Sequence, residues 1–232
     1  MTEFSISVVS GFTLWDSAAL LLFVLVWVGL GVLTEHPPKS RPSTHVIMDK
    51  YRLDWMREMA RRDVRIFDSQ VANGLRQGTA FFASATLLAV GGGAAAITQA
   101  ETVALITDDL APELMVSRAT LEAKILAVTL VFALAFMKFV WAHRLLGYTA
   151  TVMAATPSCD HLEDALRVAE KAGKLSNTAV RSFNRGLRNI YFALALLAWM
   201  LGAVPLIIAT LFAAMTVIRR EFASQSRAAL LD

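Results

Sequence analysis

The stretch NIYFALALLAWMLGAVPLIIATLFAAMTVI, residues 189–218, contains no charged side chain. A helix needs roughly 20 apolar residues to cross the hydrocarbon of a membrane, and this stretch would be about 45 Å long as one straight helix. Gly202 and Pro205 interrupt it, and both residue types weaken a continuous helix. Two alternatives follow: one tilted or kinked crossing, or a hairpin that returns the tail to its starting side. We expect the single crossing, because each half alone is short for a membrane span.

Three further apolar segments precede this stretch, at about residues 12–33, 78–98 and 121–142. Hydrophobic residues make up 56% of the 232-residue chain and charged residues 18%, whereas charged residues are nearer a quarter of a soluble domain. The sequence therefore predicts an all-α integral membrane protein with four transmembrane helices, folded as a single membrane domain over residues 1–232. No lysine or arginine precedes the first segment, so we expect a retained crossing rather than a secretion signal.

The basic residues predict an orientation. Nine of them lie between the first and second segments and seven between the third and fourth, against five on the other side. Because basic loops stay in the cytoplasm, we predict a membrane protein with both termini outside the cytoplasm. Arg219 and Arg220 disagree with this orientation and would fit the hairpin. We expect no nucleic-acid partner, since no nucleic-acid-binding motif accompanies the basic residues.

Two cytoplasmic amphipathic regions extend the predicted bundle, at about residues 43–76 and 159–188. In the first, Ser43 or Thr44 can cap a helix that we expect to continue to about Leu75. The apolar face of this helix is formed by Tyr51, Trp55, Met56 and Met59. Such a helix can lie in the lipid headgroup layer or bind a partner, but we expect it to pack on the second cytoplasmic region.

The second region has its own start and stop signals. Asp160 followed by Glu163 resembles a capping box, and Gly173 is placed to end the helix that follows it. A further helix is expected to begin near Ser176 and to run directly into the fourth crossing.

Small residues recur at fourfold spacing along two of the predicted crossings. The set consists of Gly74, Gly78, Ala85, Ala89 and Gly93 in and before the second crossing, and Ala198 and Gly202 in the fourth. Helices in lipid associate through close backbone approach at such positions. We therefore expect the second crossing to be central in the bundle. The spacing leaves open whether these rows meet within one chain or between two chains.

Lys138 lies within an otherwise apolar run and is a candidate polar site. A charge inside a membrane is costly and often functional, but His143 and Arg144 follow closely, so a lysine here can extend its ammonium to the interface. We favour that interpretation, or a structural ion pair. In the alternative, Lys138 joins Asn73, Arg76 and Gln77 in a polar route at the cytoplasmic mouth of a small channel or transporter.

The sequence offers no recognisable catalytic or cofactor motif. The four histidines lack metal-binding spacing, and Cys159 is the single cysteine, so we expect no metal site and no internal disulfide. Asp49, Asp54 and Glu58 each have a basic neighbour within one helical turn, which is typical of a salt-bridged surface rather than a hydrolase site. We therefore predict a protein that is not an enzyme and binds no cofactor.

Three blocks of the chain resemble a known family. They are RPSTHVIMDKYRLDWMREMARRDVRIFDSQVANGLRQGTAFFAS at residues 41–84, FNRGLRNIYFALALLAWMLGA at residues 183–203, and IRREF at residues 218–222. They are similar to bacterial membrane proteins grouped as domain-of-unknown-function family five-nine-nine, over roughly Leu14 to Phe222. The resemblance implies a four-crossing inner-membrane protein, and it implies no activity, cofactor or catalytic residue.

The function predicted from the sequence is non-enzymatic. We expect a multi-pass protein whose partners are the lipid bilayer and either a second copy of itself or another membrane protein, so that it acts as a homo-oligomer or as an accessory subunit of a membrane assembly. The small channel or transporter is the alternative. A third hypothesis is an enzyme acting on lipid at the cytoplasmic surface, through the carboxylates of residues 49–68.

Overall fold

The computed structural model describes residues 12–103 and 117–231. The helices that lie wholly within these ranges are α1 (Leu14–Glu35), α2 (Thr44–Ala60), α3 (Ile66–Thr98), α4 (Arg118–Ala154), α5 (Leu162–Leu197), α6 (Ala203–Phe222) and α7 (Gln225–Ala229). A short 3-10 helix, Cys159–His161, precedes α5, and another, Ala198–Leu201, follows it. The described part of the chain contains no strand, which confirms the all-α class.

Four helices are long and apolar enough to cross a membrane by length and composition. They are Leu14–Glu35, Ile66–Thr98, Arg118–Ala154 and the helical stretch Ala203–Ala229. The number of candidate spans agrees with the sequence prediction. The last one, however, begins at Ala203, in the middle of the apolar stretch of residues 189–218.

The chain reverses direction within that stretch. Arg188 donates to the Thr34 hydroxyl (2.9 Å) and to Glu35 (2.9 Å) at the end of α1. Eleven residues later, the Trp199 indole N–H donates to Asp16 Oδ1 (2.7 Å) near the start of α1. α5 therefore runs antiparallel to α1. These contacts define two ends of the bundle, which we call the Glu35 end and the Asp16 end.

α6 then returns to the Glu35 end. The Thr44 hydroxyl donates to the Glu221 carbonyl (3.1 Å) and the His45 backbone N–H donates to the Glu221 carboxylate (3.3 Å). Between the two passages, Gly202 has φ 107°, which is accessible to glycine and costly for other residues. The prediction of one crossing over residues 189–218 is thus wrong for this bundle, and the hairpin alternative describes it. Glycine at the reversal removes the steric cost, and Pro205 falls in the first turn of α6, where a missing N–H is tolerated.

The hairpin also changes the relation between the two ends of the chain. Phe12 packs on Trp199 at the Asp16 end, with ring centroids 5.7 Å apart. The Arg227 side chain instead donates to the Pro42 carbonyl (3.1 Å) at the Glu35 end. Residues 12 and 227 therefore lie at opposite ends of the bundle. Within the described residues this arrangement differs from the expected one, because residues 188–221 pass along the bundle twice rather than once. The side of the membrane on which each terminus lies stays a prediction.

Two helix boundaries differ from the sequence prediction. The helix that begins at Thr44 ends at Ala60 rather than near Leu75, and α3 starts separately at Ile66. Conversely, Gly173 does not end a helix, because α5 passes through it without interruption. A Cβ on Gly173 would lie 2.7 Å from a methyl of Leu53 in α2, so this glycine permits close contact between α2 and α5. The first cap of that region is also displaced, since Ser158 rather than Asp160 accepts the capping N–H.

The packed centre of the bundle is formed by α4 and α5. Phe139 of α4 is fully buried and would be 2.7 Å from a Cβ placed on Gly186 of α5. Phe82 of α3 stacks on Phe139, and Phe183 meets both rings edge-on. α3 packs mainly on α4 and is the least buried of the four candidate spans. The expectation that the second crossing is central is therefore wrong, because most of its residues face outward.

Candidate functional site

Lys138 lies at the Glu35 end of α4 rather than at mid-bundle. Its backbone carbonyl accepts from the Ser182 hydroxyl (2.8 Å), and Ser182 is one turn from Arg185, which pairs with Glu35. The side chain is half-buried, and it forms no ion pair with any residue in the described ranges. A lysine at this level can reach the polar layer by extending its stem, which agrees with the interfacial interpretation.

The structure separates Lys138 from the other members of the proposed polar route. Asn73 and Arg76 lie on α3 beside Ala150, and Ala150 is twelve residues, or about 18 Å, further along α4 than Lys138. Gln77 is exposed on the outside of α3. The separation between Lys138 and the other three residues does not favour the channel or transporter within one chain.

The small-residue row of α3 is largely unpacked within the chain. A Cβ added to Gly74 or Gly78 would meet no atom within 4 Å, and Ala85 is exposed. Gly93, at the far end of the row, is different: a Cβ there would lie 2.1 Å from the Thr129 hydroxyl of α4. The row is therefore packed against α4 at Gly93, and it has no such contact at Gly74 and Gly78. Ala89 is half-buried between these two regions.

The two small residues of the fourth segment lie at the hairpin turn. Ala198 begins the 3-10 helix and is half-buried, whereas Gly202 is buried and supplies the positive φ. Gly202 thus has a conformational role at a turn. The spacing predicts a helix-packing role for Gly202, whereas the structure places this residue in the turn between two helices.

A cleft of about 420 Å³ lies beside Gly74 and Gly78 at the Glu35 end. Its apolar walls include Trp55 of α2, Leu75 of α3 and Phe183 of α5. Arg52 and Asn184 form its polar rim. The two glycines line the α3 wall of the cleft, so the open face of α3 borders a concave apolar surface.

The predicted amphipathic face of α2 divides between two surroundings. Met56 and Met59 are fully buried and pack in one cluster with Ala165, Ala169 and Ala172 of α5. The Trp55 indole N–H donates to buried Asp68 (2.7 Å), which also accepts from Arg62 (2.8 Å). Tyr51 is exposed. Most of this face of α2 therefore contacts other helices of the same chain, as the sequence predicts.

A buried polar cluster at the Asp16 end was not predicted. Lys124 and Asp16 are 3% and 8% exposed. The Lys124 ammonium donates to the Trp199 carbonyl (3.0 Å) and lies 5.3 Å from the centroid of the Trp199 ring. Asp16 accepts from the same indole and from Thr13. The cluster fixes the α5–α6 turn to α1 and α4. The sequence signal for this cluster was that Asp16 and Lys124 are charged residues near the beginnings of two apolar segments.

Arginine–carboxylate networks hold the helices together at the Glu35 end. Glu35 accepts from Arg185 and Arg188 of α5. Asp49 of α2 pairs with Arg52 (2.5 Å) in its own helix and with Arg181 (2.6 Å) of α5. Pairing of carboxylates with arginine in this way satisfies both charges. The carboxylates of α2 are accordingly engaged in structural pairs, as a salt-bridged surface predicts.

His45 is the titratable group most enclosed by this network. Its Nδ1 lies 3.1 Å from the Asn184 side-chain amide, which is a donor, so Nδ1 accepts and the imidazole is neutral. Burial lowers the pKa of His45 below the usual value, and Arg52 and Arg181 lower it further, although Asp49 and Glu35 oppose them. The neutral ring is thus part of the contact between α2 and α5.

The described residues hold no group of three or more side chains suited to a metal ion. Cys159, the single cysteine, donates to Asp63 (2.6 Å). Hydrogen bonding to this carboxylate, together with burial, raises the pKa of the Cys159 thiol, which makes it a weaker nucleophile.

Comparisons with known proteins give a family and no activity. No curated protein and no solved structure is significantly similar to the chain. A family model described as protein of unknown function, DUF599, matches residues 18–226. The match covers the four candidate spans almost completely, together with the hairpin and the network around Glu35, and it begins two residues after Asp16. The chain is therefore a member of the DUF599 family.

Proposed function

We propose that this chain is a multi-pass protein of the bacterial inner membrane whose Glu35 end faces the cytoplasm. The α5–α6 hairpin brings Arg219, Arg220 and Arg227 to the same end as the basic residues of α2 and α5. Among the described residues, Arg118 and Lys124 then remain as the basic side chains at the Asp16 end. This distribution is more one-sided than the sequence alone suggests, and it supports a cytoplasmic Glu35 end by the positive-inside rule.

Within the membrane, the protein acts by self-association rather than catalysis. The observation that carries this proposal is the open face of α3, where Gly74 and Gly78 have no atom within 4 Å of an added Cβ. Helices in lipid gain little from apolar side chains, because the lipid tails are equally apolar, and they associate where backbones approach closely. A glycine pair four residues apart provides such a surface.

The partner proposed for this face is a second copy of the same chain. A two-fold dimer places one patch against itself, so both partners contribute the same glycine pair and both backbones can approach. The patch belongs to the least buried of the four candidate spans. Residues 77–100 carry no charge that would oppose self-contact, and Arg76, between the two glycines, lines the cavity towards Ala150 and Met153. The test can also show that a different membrane protein binds this face, in which case the chain would be an accessory subunit of a membrane assembly.

The experiment compares bulky substitutions at open glycines. The full chain, extracted with its surrounding lipid, is expected to be a dimer by mass photometry or native mass spectrometry. Gly78→Leu, alone and with Gly74→Leu, is expected to shift it to monomer. Gly29→Leu is the control, because Gly29 of α1 is also open, with no atom within 4 Å of an added Cβ. A wild-type monomer, or a dimer that tolerates Leu at both positions, would refute self-association through α3.

A further inference from the structure

A second cavity, of about 350 Å³, lies between α3 and α4 at the Glu35 end. One wall is formed by Arg65, which immediately precedes α3, and by Ser69, Asn73 and Arg76 of α3. These residues follow one another at intervals of three or four and so share one face of the helix. The opposite wall is apolar and consists mainly of Ala150 and Met153 of α4.

Neither arginine of this cavity pairs with a carboxylate of the described residues. Arg76 forms no hydrogen bond or ion pair with any described residue, and its Nε atom is buried. Arg65 donates to four backbone carbonyls, those of Thr156 and Pro157 (2.6 Å each), Arg62 (3.3 Å) and Ala60 (3.5 Å), which occupy its donors but do not neutralise its charge. None of the described residues that line the cavity is acidic. This arrangement differs from that of Arg185 and Arg188, which share Glu35.

An uncompensated guanidinium pair in a partly enclosed cavity favours an anion. Desolvation of a charged group is costly without a counter-charge. Arginine presents a planar set of donors that matches the oxygens of a phosphate. Ser69 and Asn73 offer further hydrogen-bonding groups on the same wall.

The position of Arg76 along α3 indicates where that anion would come from. Residues 77–98, the part of α3 that follows Arg76, carry no charge and extend about 33 Å as a helix, slightly more than the hydrocarbon thickness of a bilayer. Arg76 therefore lies where the lipid headgroups begin. The apolar α4 wall continues from this level towards the hydrocarbon.

We propose that this cavity binds the phosphate-bearing headgroup of an anionic phospholipid. Arg76 pairs with the phosphate, Arg65 supplies the second positive charge, and Ser69 and Asn73 hydrogen-bond the rest of the headgroup. The proposal uses the face of α3 that looks towards α4, not the face of Gly74 and Gly78. It is independent of self-association and applies to a monomer as well as a dimer.

Native mass spectrometry of the full chain in mild detergent tests this site with two lipids of identical acyl chains. Phosphatidylglycerol is expected to bind more tightly than zwitterionic phosphatidylcholine. Arg76→Gln is expected to weaken phosphatidylglycerol binding about fivefold, the usual contribution of one basic residue near an anionic lipid. The effect on phosphatidylcholine should be smaller, because its choline cation offsets the charge of its phosphate. Arg167→Gln is the matched control, because Arg167 is exposed and paired with Asp164 (2.7 Å).

Three results would overturn the proposal. One is equal binding of the two lipids by the wild-type chain, and another is unchanged phosphatidylglycerol binding by Arg76→Gln. The third is displacement of the lipid by inorganic phosphate at equal concentration, which would identify a site for the free anion. Arg65→Gln also removes the bonds to Thr156 and Pro157, so Arg76→Gln is the decisive variant, with circular dichroism to verify that it folds.

Discussion

Trp199 shows how one residue can join several helices. Its indole N–H donates to buried Asp16, and its backbone carbonyl accepts from Lys124. Replacement by phenylalanine keeps most of the apolar contact and removes the donor. We therefore expect Trp199→Phe to lower the free energy of unfolding by about 1–3 kcal/mol, the cost of leaving a buried acceptor without its partner.

Unfolding in a denaturing detergent would measure this effect. Trp141→Phe is the comparison, because the Trp141 side chain is 49% exposed and has no hydrogen-bond partner among the described residues; its change should stay within about 0.5 kcal/mol. Equal effects of the two substitutions would show that the Asp16 contact contributes nothing.

His45 is the second residue from which a prediction follows: the stability of the fold should depend on pH. Its pKa is lowered in the folded chain, mainly by burial, so the unfolded chain binds a proton at a higher pH than the folded one. The stability that the neutral ring contributes is therefore present above about pH 6.5, the ordinary histidine pKa, and is lost as the pH falls below it.

Thermal unfolding of wild type and His45→Gln between neutral and mildly acidic pH would test this prediction. The wild type is expected to lose more stability than the variant as the pH falls, because glutamine does not titrate. Parallel pH profiles for the two proteins would contradict the role of His45.

Gly202 is decisive at the scale of secondary-structure elements. Its φ of 107° lies in a region that costs other residues of order 1–3 kcal/mol. Gly202→Ala is therefore expected to destabilise the chain by about that amount. Gly147→Ala provides the contrast, because Gly147 lies within helix α4 with open space around it, and alanine there should stabilise the helix by up to about 1 kcal/mol.

The same denaturing-detergent assay separates these two alanine substitutions. Opposite signs would show that the conformation of Gly202 matters rather than the loss of a glycine as such. If Gly202→Ala were neutral, the turn would have to adopt another backbone conformation than the one described.

The sequence predicts some elements well and others poorly, for identifiable reasons. The apolar runs locate α1, α3 and α4, because hydropathy over about 20 residues is a strong signal. Hydropathy does not reveal the reversal inside residues 189–218. The reason is that α5 is polar over its first part and apolar only over its last part, so its apolar part is too short to be recognised as a separate span. Gly202 and Pro205 were the sequence signals for a turn. The single crossing was nevertheless preferred, because each half of the stretch is short for a membrane span.

The candidate sites follow the same pattern. Lys138 stands out in the sequence because apolar residues surround it, yet the more buried lysine is Lys124, which begins its segment and resembles an interfacial residue. Gly93 and Gly74 belong to one row by spacing, but α4 diverges from α3 along it, so they differ in packing. Burial depends on which helices neighbour each other, and spacing along one helix does not contain that information.

At the scale of the whole molecule, the hairpin predicts the side on which the tail lies. In a Cys159→Ser background, Ala119→Cys should react with a membrane-impermeant maleimide in intact spheroplasts, because α4 begins at the Asp16 end. Ser226→Cys should react only after lysis, since Arg227 contacts Pro42 at the Glu35 end. Labelling of both positions in intact spheroplasts would contradict the hairpin, and a reversed pattern would contradict the orientation.

The returning α6 also bears on how the protein is made. With the Glu35 end on the side of the ribosome, Arg219, Arg220 and Glu221 emerge from translation on the side where they finally reside. Their charges are never transferred through the lipid interior, a passage that costs several kcal/mol for each ionised side chain. Insertion of the last two passages as a pair would then need translocation of nothing larger than the uncharged turn around Gly202.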